Sequence, residues 1–204
     1  MARFGKNILS ELHGTVGEVV ICHYNGSHYV RSRPDVDPSK KTPAQIRQQA
    51  KLQLAMNFLK TMKGLFKVTF TDGRELGMPH NRAMSGVLKQ AIVGEYPNFA
   101  IDYSKVQLAS GPLQPPQSAA AELQEGLLNF SWLPGDPATD ERLILIAHCP
   151  EKRISVFSIF DFPRSAGKAT LAMPSPLLGE SLEAWIACIS FDRKKTSNGT
   201  TQQK

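Results

Sequence analysis

Residues 16–33, VGEVVICHYNGSHYVRSR, decide the first part of the fold. Asn25-Gly26 is the residue pair that a two-residue hairpin turn prefers, because both positions need a positive φ. A two-residue turn also sets the register. Tyr24 then faces Ser27, His23 faces His28, Cys22 faces Tyr29, Ile21 faces Val30, Val20 faces Arg31, Val19 faces Ser32 and Glu18 faces Arg33. The last pair sets opposite charges across the open end, which favours this register. A two-stranded hairpin is marginal in water, so this one is expected to pack on its own chain or on a neighbour. Just upstream, Gly14 and Gly17 lack the strand-before, helix-after setting of a phosphate loop, and are read as permitting an unusual turn or close backbone packing.

Downstream, Pro34 and Pro38 with alternating charges make an extended connector up to Lys41. A helix is expected over 43–63. Thr42 is its N-cap, Pro43 its first residue and Gln45 the far side of a capping box, with Gly64 as its stop. Ile46, Ala50, Leu54, Phe58 and Met62 recur at i+4, joined by Ala55 and Leu59, which marks an apolar stripe. Residues 65–71 read as a short strand, with Asp72-Gly73 as a turn. A second helix is expected from Asn81, with Met84, Val87, Leu88, Ala91 and Ile92 on one side and Gly94 as C-cap.

From Asp102 the apolar period changes to two. Strands are expected at 103–109, 127–132, 142–149, 153–160, 167–172 and 182–191, separated by proline- and glycine-bearing turns such as 134–137. Short strands at such spacing read as a sandwich, with Trp132 and Trp185 as core aromatics on facing sheets. The expected fold class is therefore α+β: an N-terminal β-hairpin plus two helices, followed by an all-β immunoglobulin- or fibronectin-like sandwich. The expected division is 1–102 as a basic hairpin-and-helix docking region, 103–195 as the sandwich domain and 196–204 as a flexible polar tail.

Charge supports a division into halves. Residues 1–100 hold 14 Lys and Arg against 7 Asp and Glu, whereas residues 101–204 hold 10 against 11. Arg31, Arg33, Lys40, Lys41, Arg47 and Lys51 cluster, with Tyr24 and Tyr29 nearby. Basic side chains with interleaved aromatics suit a nucleic-acid groove. The alternative is a solvated or protein-facing basic surface, on which the arginines flanking Ser32 make forked contacts to carboxylates of a neighbouring subunit. These eight residues are the candidate interaction set. The edge of the hairpin, with its unpaired backbone groups, is the other expected contact.

Catalytic and metal chemistry find little support. Cys22, Cys149 and Cys188 are far apart and have no metal-ligand spacing, so they read as reduced thiols in strands. His23 and His28 face each other in the hairpin register without an evident third ligand, and His13, His80 and His148 are scattered. No nucleophile elbow is present. The expectation is a non-enzymatic protein with no cofactor or metal. No apolar run reaches the ~18–20 residues a membrane helix needs, and Met1–Asn7 does not open a secretory signal. Localisation is therefore read as cytoplasmic or inside an assembled particle, without a membrane span.

Several motifs carry a resemblance. They are Gly14-Thr-Val-Gly17, Val30-Arg-Ser-Arg-Pro34, Lys41-Thr-Pro-Ala-Gln45 through Ala50, Asn81-Arg-Ala-Met-Ser85 with Leu88-Lys-Gln-Ala91, and Tyr96-Pro97 with Ile101-Asp-Tyr-Ser-Lys-Val106. Over residues 12–110 the chain resembles a family of uncharacterised proteins found in Bacteroidetes genomes and their mobile elements. The resemblance implies a motif-rich N-terminal segment ahead of a more variable β-sandwich, and it carries over no catalytic residue. That layout suits a structural subunit of a repeated assembly, such as a phage-related particle or filament, which docks by its N-terminal half and displays its sandwich. Its expected partner is another copy or a protein of the assembly. Nucleic-acid binding by the basic half is the alternative.

Overall fold

The computed structural model describes residues 2–4, 12–35, 40–70, 78–134 and 140–202. Positions 36–39 of the expected connector, the expected Asp72-Gly73 turn, positions 135–137 of the turn expected at 134–137, and the last two residues lie outside the described residues. The chain is α+β and forms two compact units, Met1–Pro43 and Ala44–Lys204.

The first unit is a four-stranded antiparallel sheet in the order β1-β4-β3-β2, built from β1 (Ala2–Phe4), β2 (Gly14–Val16), β3 (Val19–Tyr24) and β4 (Ser27–Ser32). The β3–β4 pairing follows the predicted register from Val19↔Ser32 to Tyr24↔Ser27. Beyond it, the Arg33 amide donates to the Glu18 carbonyl at 2.6 Å. Asn25 and Gly26 both take positive φ, as their turn requires. Gly17 does so at the β2–β3 turn, which brings Val16 opposite Val19. The glycines of 14–17 thus shape a second hairpin.

The second unit has three layers. Its central sheet runs β10-β9-β12-β13, formed by β9 (Arg142–Cys149), β10 (Ile154–Pro163), β12 (Glu183–Ile189) and β13 (Thr200–Gln202). A three-stranded sheet, β11-β8-β7, covers one face with β7 (Ala120–Gln124), β8 (Leu127–Ser131) and β11 (Lys168–Ala172). Leu143, Leu145, Ala147, Ala184, Ile186 and Cys188 pack there against Leu128, Phe130, Trp132 and Leu171. The opposite face is covered by α1 (Pro43–Lys60), α2 (Phe66–Thr69) and α3 (Pro79–Gly86). Ile144, Ile146, Trp185, Ala187 and Ile189 meet Ala55, Phe58, Leu59, Met62, Leu65, Phe66, Ala83 and Val87 there. Successive strand side chains point to opposite faces. A strand covered on both faces must therefore be apolar throughout, as Leu143–Ala147 is.

That shared core changes the expected division. The join placed near residue 102 falls inside the second unit, because the helices bury their stripe on the central sheet. It also separates the two tryptophans. Trp132 lies between the sheets, while Trp185 faces the helices.

Several elements differ locally from their prediction. The stretch at 65–71 supplies the short helix α2 instead of a strand; Leu65 and Thr69, like Phe66 and Phe70, bury at a four-residue spacing. Residues 103–109 are not a strand. Asp102 accepts the Ser104 amide at 3.2 Å and caps a 3₁₀ turn, Tyr103–Lys105. An irregular segment then buries Val106, Leu108 and Ala109. Helix α1 ends at Lys60, and Ile46 is exposed because an i+4 row drifts around the helix, away from the face that Phe58 and Met62 bury. Helix α3 begins at Pro79, where the missing N–H costs nothing. Its path continues through one π turn, Val87–Ala91, into β5 (Ile92–Val93), which pairs with β6 (Ala100–Ile101). Gly94 turns that small hairpin and does not cap the helix. The missed strand β7 joins β8 through Glu125-Gly126, both at positive φ.

The tail expected at 196–204 is no flexible appendage over its described part. Thr196 and Ser197 are fully buried. Thr196 Oγ1 donates to the carbonyls of Ser110 (2.9 Å) and Thr69 (3.2 Å), and Ser197 Oγ accepts the Cys188 amide at 2.8 Å. Residues 200–202 then pair with β12. Hydroxyl side chains read as solvated in sequence, but here they satisfy buried backbone groups.

Candidate docking surface

The alternation of β2, β3 and β4 sorts the N-terminal sheet into two unlike faces. Thr15, Val20, Cys22, Tyr24, Ser27, Tyr29 and Arg31 share one by register. Gly14, Val16, Val19, Ile21, His23, His28, Val30 and Ser32 share the other. The first is aromatic and basic; the second holds no Asp, Glu, Lys or Arg. No described side chain on either face is buried. Val16 is 70% exposed, Val19 41% and Tyr24 75%.

The eight predicted interaction residues are thus partly assembled. Tyr24, Tyr29 and Arg31 fall on one face, and Arg33 follows at the end of β4. A hydrogen bond with the Cys22 side chain is the main cause that raises the Tyr29 phenol above its ordinary pKa. Lys40 and Lys41 are exposed in the segment before α1. Arg47 and Lys51 belong to α1, in the other unit. Arg47 is exposed, and Lys51 Nζ lies 5.0 Å from the centre of the Phe99 ring, a cation–π contact.

The apolar face escaped prediction. Its signal was a second two-residue turn, Gly17-Glu18, which puts Val16 beside Val19. A further basic–aromatic patch also escaped. In the second unit the Arg142 and Arg193 guanidiniums lie 5.4 and 4.5 Å from the centre of the Phe160 ring, beside the exposed Phe191. Residues so distant in sequence leave no local pattern.

Titratable groups inside the second unit serve its core. His148, opposite both Ser155 and Glu183 in register, is buried against the Phe58 ring. Its Nδ1 lies 2.8 Å from Ser155 Oγ, which lies 2.6 Å from Thr61 Oγ1 at the end of α1. Burial lowers the His148 pKa to about 4, opposed by a hydrogen bond to the Ile154 backbone. The imidazole is therefore neutral near pH 7 and ties the helix layer to the sheet. Burial, and then the nearby Asp102 carboxylate, raise Glu183. Burial pushes the Cys188 thiol up to about 12, far from a reactive thiolate. His23 and His28 stack with ring centres 4.5 Å apart and planes 8° from parallel. Among the described residues no group of three or more His, Cys, Asp or Glu is placed to hold a metal ion. No helix among them is long and apolar enough to cross a membrane.

The chain belongs to a family of unknown function (DUF6266), whose model matches residues 11–201. The match runs from just before β2 into β13, so it takes in strands of both units. No curated protein matches the sequence.

Proposed function

We propose that this protein is a non-enzymatic interaction subunit that docks through its N-terminal sheet into a larger protein assembly, with the three-layer unit presented outward. One observation carries the reading. The first unit is a sheet with valines and an isoleucine along one face and no buried described residue. Sheets hold their shape by burying a face against another layer, and a contiguous exposed apolar patch marks an interaction surface. The second unit already has two cores of its own. A layout with one finished unit and one unfinished sheet suits a subunit of a phage-related particle or filament.

The test is fractionation from the native host. The full chain should sediment with a large particle, and a chain lacking residues 1–42 should be lost from it. Recovery of both at monomer size would sink the reading.

Nucleic-acid binding is the second reading. It is favoured by the placement of Tyr24, Tyr29 and Arg31 on one face, where rings can stack on bases beside a cation. It predicts binding that weakens steeply with salt and with Tyr24→Ala.

A further inference from the structure

We infer that Arg142, Phe160, Phe191 and Arg193 form a binding site for single-stranded nucleic acid on the second unit. The site is distinct from both faces of the N-terminal sheet and stands whether or not that sheet docks.

The backbone sets the site up. β10 loses its register with β9 between Ile159 and Pro163. Phe160 lies in that gap with a φ of 78°, and Arg193, in the turn after β12, has a φ of 57°. A left-handed backbone is an outlier for a bulky side chain. Such strain gathers at functional sites, and bulges re-aim side chains there. The two strained residues meet. The Arg193 guanidinium lies 4.5 Å from the centre of the Phe160 ring, and that of Arg142, at the start of β9, lies 5.4 Å from it.

Charge then selects an anionic partner. Two cations held against one ring repel each other until an anion joins them. The acid immediately beside each of these residues in the chain is engaged elsewhere. Glu141 pairs with Arg164, and Asp161 accepts the Ser158 hydroxyl. Asp192 accepts the Ser190 hydroxyl and the Lys194 amide. Among the described residues, neither Arg142 nor Arg193 forms an ion pair. A guanidinium stacked on a ring keeps its N–H edge open for forked contacts to phosphate oxygens. Lys194 and Lys195 add exposed cations on the same turn.

The rings select among anions. Phe191 is 59% exposed, with its ring centre 5.7 Å from that of Phe160. An open phenyl face stacks an unpaired base, and a guanidinium plane offers a second stacking surface. An acidic peptide would satisfy the arginines but brings no flat ring with each charge. A lipid headgroup brings none either, and one phenyl ring is a small membrane anchor. A nucleotide strand alternates phosphate and ring, as this patch alternates cation and ring. A duplex keeps its base faces stacked away.

Fluorescence anisotropy of the full chain with a labelled single-stranded oligothymidylate tests this. Binding should be tighter than to a duplex of equal length. The logarithm of affinity should fall against the logarithm of salt with a slope of about −3, if Arg142, Arg193, Lys194 and Lys195 all meet phosphates. Phe191→Ala should weaken binding about tenfold. Arg142→Gln with Arg193→Gln should weaken it and flatten the slope by about half. Lys194→Gln with Lys195→Gln, at exposed positions that folding does not need, should flatten the slope similarly. No binding of the single strand at low salt would overturn the inference, as would equal affinity for the duplex. Binding that survives the Phe191 and arginine variants but is lost with Tyr24→Ala would overturn this site and move nucleic acid to the N-terminal sheet. Binding of polyglutamate or of phosphatidylserine vesicles in place of the oligonucleotide would also overturn it. None of these outcomes bears on the particle-fractionation test of docking.

Discussion

Leu145 and Val19 both sit on inner strands of four-stranded antiparallel sheets. Leu145 is completely buried, whereas Val19 is 41% exposed. The central sheet of the second unit has a layer on each face, one of helices and one of strands. The N-terminal sheet shows neither burial nor a core cluster among its described residues. Similar local hydrogen bonding therefore coexists with opposite energetics. Among its described residues the first sheet gains its backbone ladder but little apolar burial, and on the proposed reading a partner supplies the rest.

Substitution can break that comparison. Trp185→Ala, which empties a fully buried site beneath the helices, should cost ~3–5 kcal/mol in chemical denaturation. Val19→Ala should change the same unfolding transition by less than ~0.5 kcal/mol, as surface substitutions do. Similar costs at the two positions would mean that the N-terminal sheet has a core of its own.

Acid offers a second contrast, confined to the second unit. His148 titrates near its ordinary value when unfolded and at about 4 when folded. Between about pH 6.5 and pH 4 the unfolded chain binds the extra proton, so stability is full above that window and falls as pH drops through it. The shift corresponds to about 3 kcal/mol. Glu183 acts in the opposite sense: its raised pKa makes the fold lose stability as pH rises through its titration. Denaturation at a series of pH values should show the His148 slope, and His148→Gln should flatten it. An unchanged slope would remove His148 as its source.

A smaller effect sharpens the account of the C-terminal segment. Thr196→Val keeps the shape and leaves the Thr69 and Ser110 carbonyls without that donor, a loss of ~1–3 kcal/mol. Thr201→Val, at a partly exposed hydroxyl with one long bond at 3.5 Å, should cost less, and denaturation midpoints of the two variants compare them.

Much of this fold was legible where local chemistry is decisive. Asn25-Gly26 dictated a turn, and the turn dictated seven cross-strand neighbours. Apolar runs such as Leu143–Ala147 named the inner strands. What was not legible depended on a partner element. The stretch at 65–71 has strand-forming residues, yet its four-residue spacing meets the core as a helical turn. Glu125 is an unusual residue for a left-handed turn position, so β7 went unseen. Thr196 and Ser197 look solvated until the carbonyl and amide groups they satisfy are known. The candidate surface was half legible: the register put Tyr24, Tyr29 and Arg31 together, but α1 belongs to the other unit, so Arg47 and Lys51 did not join them by register. The apolar face appeared only once β2 was seen beside β3.

Amide hydrogen exchange of the full chain at low protein concentration tests the central claim most directly. Amides of β3 and β4 should exchange orders of magnitude faster than those of β9 and β12, because local opening costs little where few apolar contacts are buried. Equal protection of the two sheets in the dilute monomer would contradict a sheet that awaits a partner.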